Sequence, residues 1–114
     1  NFDIIIDDGG HDIVLQQSTF GTLFKYVKPG GHYIVEDLHS SFLPGYLINH
    51  NMLDSDDATA YNVFTRLQQT GTLTTPYIHK TDIEYIQDNL DCIEIYDLQN
   101  DRNHITSILK KVGK

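Results

Sequence analysis

The sequence predicts an α/β fold in which parallel strands are joined by a crossover helix and an antiparallel hairpin closes the sheet. Short Ile- and Val-rich runs at residues 2–6 and 33–35 each end in an acidic pair, the pattern of strands covered on both faces of a parallel sheet. Between them, apolar residues approach helical spacing over residues 13–26 and stop at Lys28-Pro29-Gly30-Gly31, a helix-ending combination. Strand, helix, strand is a βαβ unit, and its two strands run parallel. Farther on, two runs of strand character flank Asn100-Asp101-Arg102-Asn103, a turn-forming tetrad that makes them a hairpin.

Taken in order, residues 2–6 form a central strand closed by Asp7-Asp8-Gly9-Gly10. Along the crossover helix the apolar residues are Ile13, Leu15, Phe20, Leu23, Phe24 and Val27, approximating helical spacing in its second half. The second strand, residues 33–35, is opened by His32 and ended by Glu36-Asp37. Residues 40–57 are rich in turn formers, including Pro44-Gly45 and Asn49-His50-Asn51, and predict a lid or connecting loop. A helix over residues 58–69 presents Ala60, Val63, Phe64 and Leu67 on one face and stops at Gly71. Residues 72–80 are irregular, Thr81 caps a short helix through Asn89, and residues 92–96 and 105–112 are the hairpin strands, with Cys92 a packing residue.

Composition narrows the function. With 114 residues the chain makes one domain, and Lys plus Arg 8 against Asp plus Glu 16 give a net charge of −8, which repels nucleic-acid backbones and anionic membranes. One cysteine excludes an internal disulfide framework. The beginning of the chain lacks the basic flank and apolar stretch of a signal peptide, and no run approaches the ~20 apolar residues that span a bilayer. A soluble, cytoplasmic setting is expected. The chain begins directly on strand-like residues without a methionine, which predicts a piece of something longer.

In an open parallel sheet, ligands gather beyond the carboxyl ends of the strands. Both acidic clusters, Asp7-Asp8 and Glu36-Asp37, end such strands, and neighbouring strands lie ~5 Å apart. Their mutual repulsion calls for a hard divalent cation such as Mg²⁺, which takes carboxylate oxygens and keeps positions for water or substrate. His11 follows Asp8 across a Gly-Gly turn and can be aimed back over the same edge as a general base for a hydroxyl. Each feature also has a structural reading: Asp-Asp-Gly-Gly is a common turn, and Glu-Asp after a strand is a common solvated end. The pairing of the clusters favours function. His39, two positions beyond Asp37, either touches an acceptor or forms loop hydrogen bonds; His50, His79 and His104 have no partner at metal-ligand spacing.

Residues 5–11 (Ile-Ile-Asp-Asp-Gly-Gly-His), 24–31 (ending Val-Lys-Pro-Gly-Gly) and 33–42 (Tyr-Ile-Val-Glu-Asp-Leu-His-Ser-Ser-Phe) resemble the metal-dependent sugar O-methyltransferases of macrolide biosynthesis, of the mycinamicin and macrocin type. The resemblance implies a Rossmann-like class I methyltransferase fold, of which this chain is the C-terminal half. It implies Mg²⁺ binding by Asp8, Glu36 and Asp37, His11 as the base, S-adenosylmethionine as methyl donor and a sugar-like hydroxylated small molecule as acceptor. The motif is dense over residues 1 to 42 and only architectural afterwards.

In that family the glycine-rich cofactor loop and the acidic residue for the cofactor ribose precede the strand matching residues 2–6. No cofactor-binding residue is therefore assigned in this chain, since Gly9-Gly10 and Gly30-Gly31 follow the wrong strands and lack the G-x-G-x-x-G pattern. The family strand order 3-2-1-4-5-7-6 would reduce to 4-5-7-6, leaving an open edge that pairs with a missing N-terminal half or with another copy. The residues alone leave open a non-catalytic binding domain on the same scaffold, a metal-dependent hydrolase, or an oxygenase using His11 and His39.

Overall fold

The structure is a computed structural model and describes residues 1–97 and 104–113. Its sheet contains β1 (Phe2–Asp7), β2 (Val27–Val35), β3 (Leu90–Asp97) and β4 (Ile105–Lys111) in the order β1-β2-β4-β3. β1 and β2 are parallel, and β4 runs antiparallel to both β2 and β3. This is the order 4-5-7-6 expected from the resemblance. The hairpin strands pair as predicted, while the turn assigned to residues 100–103 lies outside the described residues.

The helix α1 (Ile13–Leu23) connects β1 to β2 and ends in a 3-10 turn, Phe24–Tyr26. It begins where Asp12 accepts hydrogen bonds from the backbone N–H groups of Val14 (2.8 Å) and Leu15 (3.0 Å), satisfying two donors that a first helical turn leaves free. Phe20 is its central anchor, with ring centroids 5.4 Å from Phe24, 5.2 Å from Tyr33 and 5.3 Å from Phe64. All four rings are fully buried. Such edge-on pairs each add roughly 0.5–1.5 kcal/mol beyond area burial, and these tie α1 and β2 to α3 (Ala60–Thr70). Thr59 caps α3, and Gly71, at φ 75°, ends it as the spacing predicts.

Several expectations are corrected. Lys28-Pro29-Gly30-Gly31 lies inside β2 and not in a turn before it. The strand accommodates it with a register shift against Phe2 and Ile4, with Gly30 at φ 80° donating its N–H to the Val112 carbonyl (3.0 Å), since proline is tolerated at such irregularities. A Cβ on Gly31 would sit 2.5 Å from the Asp3 carbonyl oxygen, so only glycine permits this approach. His79, rather than Thr81, caps α4 (Lys80–Asn89), because its side chain reaches the Thr81 N–H. Cys92 is exposed, not packed.

β1, read as a strand covered on both faces, is the open edge that the order 4-5-7-6 leaves, and Phe2, Ile4 and Ile6 are each more than half exposed on its uncovered face. Alternation explains this. Tyr33, Val35, Ile93, Ile105 and Leu109 point into the core with the buried residues of the helices, whereas the intervening positions Ile4, Ile6, Ile34 and Ile108 point the other way. The segment expected as a lid is a string of short helical turns: 3-10 turns at Leu38–Phe42 and Ile48–His50 flank the single-turn helix α2 (Pro44–Leu47). Pro44 opens α2, where a missing N–H costs nothing.

Candidate functional site

The two acidic clusters meet because the parallel ladder ends with them. Asp7 pairs with Val35, and the Glu36 N–H donates to the Asp7 carbonyl (3.1 Å) as the last rung. Beyond it Asp37 turns out of the strand in the left-handed region, φ 63°. The Asp7 side chain folds over the next turn, accepting from the Gly9 N–H (3.2 Å). That turn returns His11 to the strand ends, as the Gly-Gly spacing predicts.

His11 and Asp37 are brought together directly. His11 Nε2 lies 3.0 Å from Asp37 Oδ2, and His39 Nδ1 approaches the other carboxylate oxygen at 3.9 Å. On its opposite side His11 Nδ1 meets the Tyr46 hydroxyl at 3.3 Å. Gln16, buried on α1, steadies the loop beneath by donating from Nε2 to the carbonyls of Glu36 (3.3 Å) and Asp37 (3.0 Å). The lid has a second tie, with His50 Nε2 3.0 Å from Asp12 Oδ2.

Charge and burial shift several groups here. Burial raises the Asp7 carboxyl, and the charges of Asp8 and Asp37 raise it further against the Gly9 hydrogen bond. Burial lowers the His39 imidazole, with His11 and His104 reinforcing this and Asp37 opposing it. For Asp12, burial acts upward but is outweighed by hydrogen bonds from the backbone of Leu15 and Val14 and from His50, so its carboxyl is lowered. Gln16 Oε1, His39 Nδ1 and Ser40 Oγ are buried without a hydrogen-bond partner. Unpaired buried polar atoms are uncommon enough to require explanation, and these three belong to residues lining the same edge.

Asp8 is exposed and Glu36 half-buried at this edge. Among the described residues, no three His, Cys, Asp or Glu side chains converge closely enough to hold a metal ion. The chemistry of the donor set nevertheless fits a hard divalent cation: Asp8, Glu36 and Asp37 offer oxygen donors from two neighbouring strand ends. Gln16, Tyr46 and His50 were not singled out from the sequence. Tyr46 and His50 touch partners 35 and 38 residues away, and no local spacing signals such contacts. An acidic residue before a helical run would have marked Asp12 as a cap.

No family model matches the chain. Over 45 residues it is 53% identical to 8-demethyl-8-(2-methoxy-alpha-L-rhamnosyl)-tetracenomycin-C 3'-O-methyltransferase of Streptomyces olivaceus, covering 40% of this chain and 12% of that protein. Over another 45-residue match it is 44% identical to mycinamicin VI 2''-O-methyltransferase of Micromonospora griseorubida, covering 40% of this chain and 11% of that protein. Both are O-methyltransferases by name. A solved structure of the MycE methyltransferase of mycinamycin biosynthesis, in complex with Mg, SAH and mycinamycin VI, matches with a TM-score of 0.69 at 23% identity, over 98% of this chain and 26% of that one. At that identity the likeness establishes the fold, a partial class I methyltransferase fold. The matches to the two curated relatives span 12% and 11% of their lengths. Among the described residues no helix is long and apolar enough to cross a membrane.

Proposed function

We propose that this chain supplies the metal ligands and the base for methyl transfer from S-adenosylmethionine to a hydroxyl of a sugar or glycosylated small molecule, as the C-terminal half of a cytoplasmic methyltransferase catalytic domain. The carrying observation is the clasp of His11 on Asp37 at the carboxyl ends of β1 and β2, 3.0 Å apart. A carboxylate oxygen cannot donate, so this contact favours the N–H on Nε2 and leaves the Nδ1 lone pair as the proton acceptor. His11 takes the acceptor's hydroxyl proton at Nδ1, and the oxygen attacks the methyl carbon in line as its bond to the sulfonium sulfur breaks, leaving the demethylated thioether. Asp8, Glu36 and Asp37 would hold Mg²⁺, which when bound lowers the pKa of a coordinated hydroxyl. Gln16 keeps the Glu36-Asp37 backbone in place. No residue of this chain is assigned to the methyl donor.

The test uses the complete protein, S-adenosylmethionine and hydroxylated glycoside acceptors. Asp8→Asn and Glu36→Gln are each expected to reduce turnover sharply, as is chelator. Undiminished activity in both variants and with chelator sinks the metal assignment.

A further inference from the structure

Both ring nitrogens of His11 are occupied. Asp37 holds Nε2 at 3.0 Å and the Tyr46 hydroxyl faces Nδ1 at 3.3 Å. The nitrogen that must receive a proton is therefore covered by a phenol. Its contact is long for a hydrogen bond, and its ring tilts by 47° against the imidazole with centroids 5.9 Å apart. Tyr46 cannot be the substrate, yet it presents to Nδ1 the same group an acceptor would present, an O–H.

The element bearing Tyr46 is short and lightly anchored. α2 is one turn long, has no side-chain cap, and sits between Leu43, which is extended, and the 3-10 turn that ends at left-handed Asn51. So short a helix has little stability of its own. Pro44 and Gly45 are exposed and Ile48 is 72% exposed, with Leu47 the one buried side chain of α2. The His50 tie to Asp12 fastens the far end of the same segment to the start of α1. His11 itself is 37% exposed, so an acceptor can reach the nitrogen once the phenol withdraws.

We propose that Tyr46 is a placeholder for the acceptor: its hydroxyl occupies the basic nitrogen of His11 until an acceptor hydroxyl displaces it and α2 swings outward. The residue thereby sets which hydroxyls reach the base, since a competing ligand must offer more than one hydrogen bond's worth of binding. This rests on the reading of His11 as the base of methyl transfer. It makes Tyr46 a specificity residue that opposes acceptor binding and takes no part in the chemical step.

Tyr46→Phe in the complete enzyme keeps the ring and deletes the O–H. The acceptor KM is expected to fall by about two- to tenfold, the range a single net neutral hydrogen bond commands, so that kcat/KM rises. His50→Ala, which frees the other end of the segment, is expected to shift KM in the same direction. A fall in kcat with KM unchanged in Tyr46→Phe would overturn the proposal, because it would make the phenol a positioning group for His11. Nitrogen-15 NMR of the imidazole gives a readout independent of turnover: in acceptor-free protein, Tyr46→Phe should move the Nδ1 resonance and leave Nε2 in place, and an unmoved Nδ1 resonance overturns the contact. If no methyl transfer is found at all, the functional reading fails, while the Nδ1 resonance still decides whether Tyr46 covers that nitrogen.

Discussion

At the start of β2 the Lys111 ammonium is buried, donating to the carbonyls of Val27 (2.7 Å) and Lys25 (3.3 Å) and lying 4.9 Å and 5.7 Å from the ring centroids of Tyr85 and Phe24. At the other end of the same strand Asp37 faces two imidazoles, the neighbouring Asp7 carboxyl is raised mainly by burial, and buried polar atoms lack partners. The first end is finished: a cation is matched by carbonyl dipoles and aromatic faces, with its stem packed in the core. The second has more acceptor capacity than its own donors fill. Polar groups left unfilled at a strand end are what the proposed ligand would complete. On the proposed function, one strand carries a structural terminus and a chemical one.

Four measurements can break or sharpen this contrast. The largest effect is expected for His11→Ala at the chemical end: kcat falls about 10²–10⁴-fold, the usual weight of a general base, while the unfolding midpoint stays put. A drop in stability with kcat retained would reverse the roles of the two ends. For Lys111→Ala the opposite pattern is expected, a loss of about 1–3 kcal/mol in denaturant unfolding from stranding the buried Val27 carbonyl and the part-buried Lys25 carbonyl, with kcat kept. Magnesium should separate the ends again. At ten times its Kd it adds about 1.4 kcal/mol to wild-type stability, and Asp8→Asn should remove most of that gain; equal gains in both proteins would place the ion elsewhere.

The smallest effect concerns Asp12, which borders the site but serves as a cap. Asp12→Ala should cost about 1 kcal/mol. Because the folded protein lowers this carboxyl from its ordinary 3.8, its contribution is present above that pH and is lost as pH falls through the lowered value. The wild-type and variant unfolding curves should therefore converge only in that acid range. Convergence near neutrality would mean that the His50 contact, not the cap, carries the stabilisation.

The sheet order followed from the family resemblance, whereas the meeting of Asp7-Asp8 with Glu36-Asp37 was legible in the residues themselves, because strand ends and acidic residues coincide in a local pattern. His11 was legible for the same reason, through a two-glycine turn. The beginning of β2 was not, since Lys-Pro-Gly-Gly reads as a stop, and it becomes strand through pairing with Phe2 of β1 and the Gly30 bond to Val112, both distant in sequence. The lid contacts escaped notice because Tyr46 and His50 reach across the fold to groups that share no periodicity with them. Cys92 was misread because one residue of strand phase decides which face it takes, and a lone weakly alternating run does not fix that phase.

The backbone at position 37 has a consequence for variation. A left-handed φ of 63° is comfortable for glycine and tolerable for aspartate and asparagine, but strained for nearly every other side chain. Exchanging one carboxylate oxygen for an amide nitrogen would therefore erase the charge that grips His11 while leaving the turn intact. A chain bearing Asp37→Asn would keep its shape and lose its chemistry, a ready path by which a duplicated copy of this scaffold becomes a silent binder.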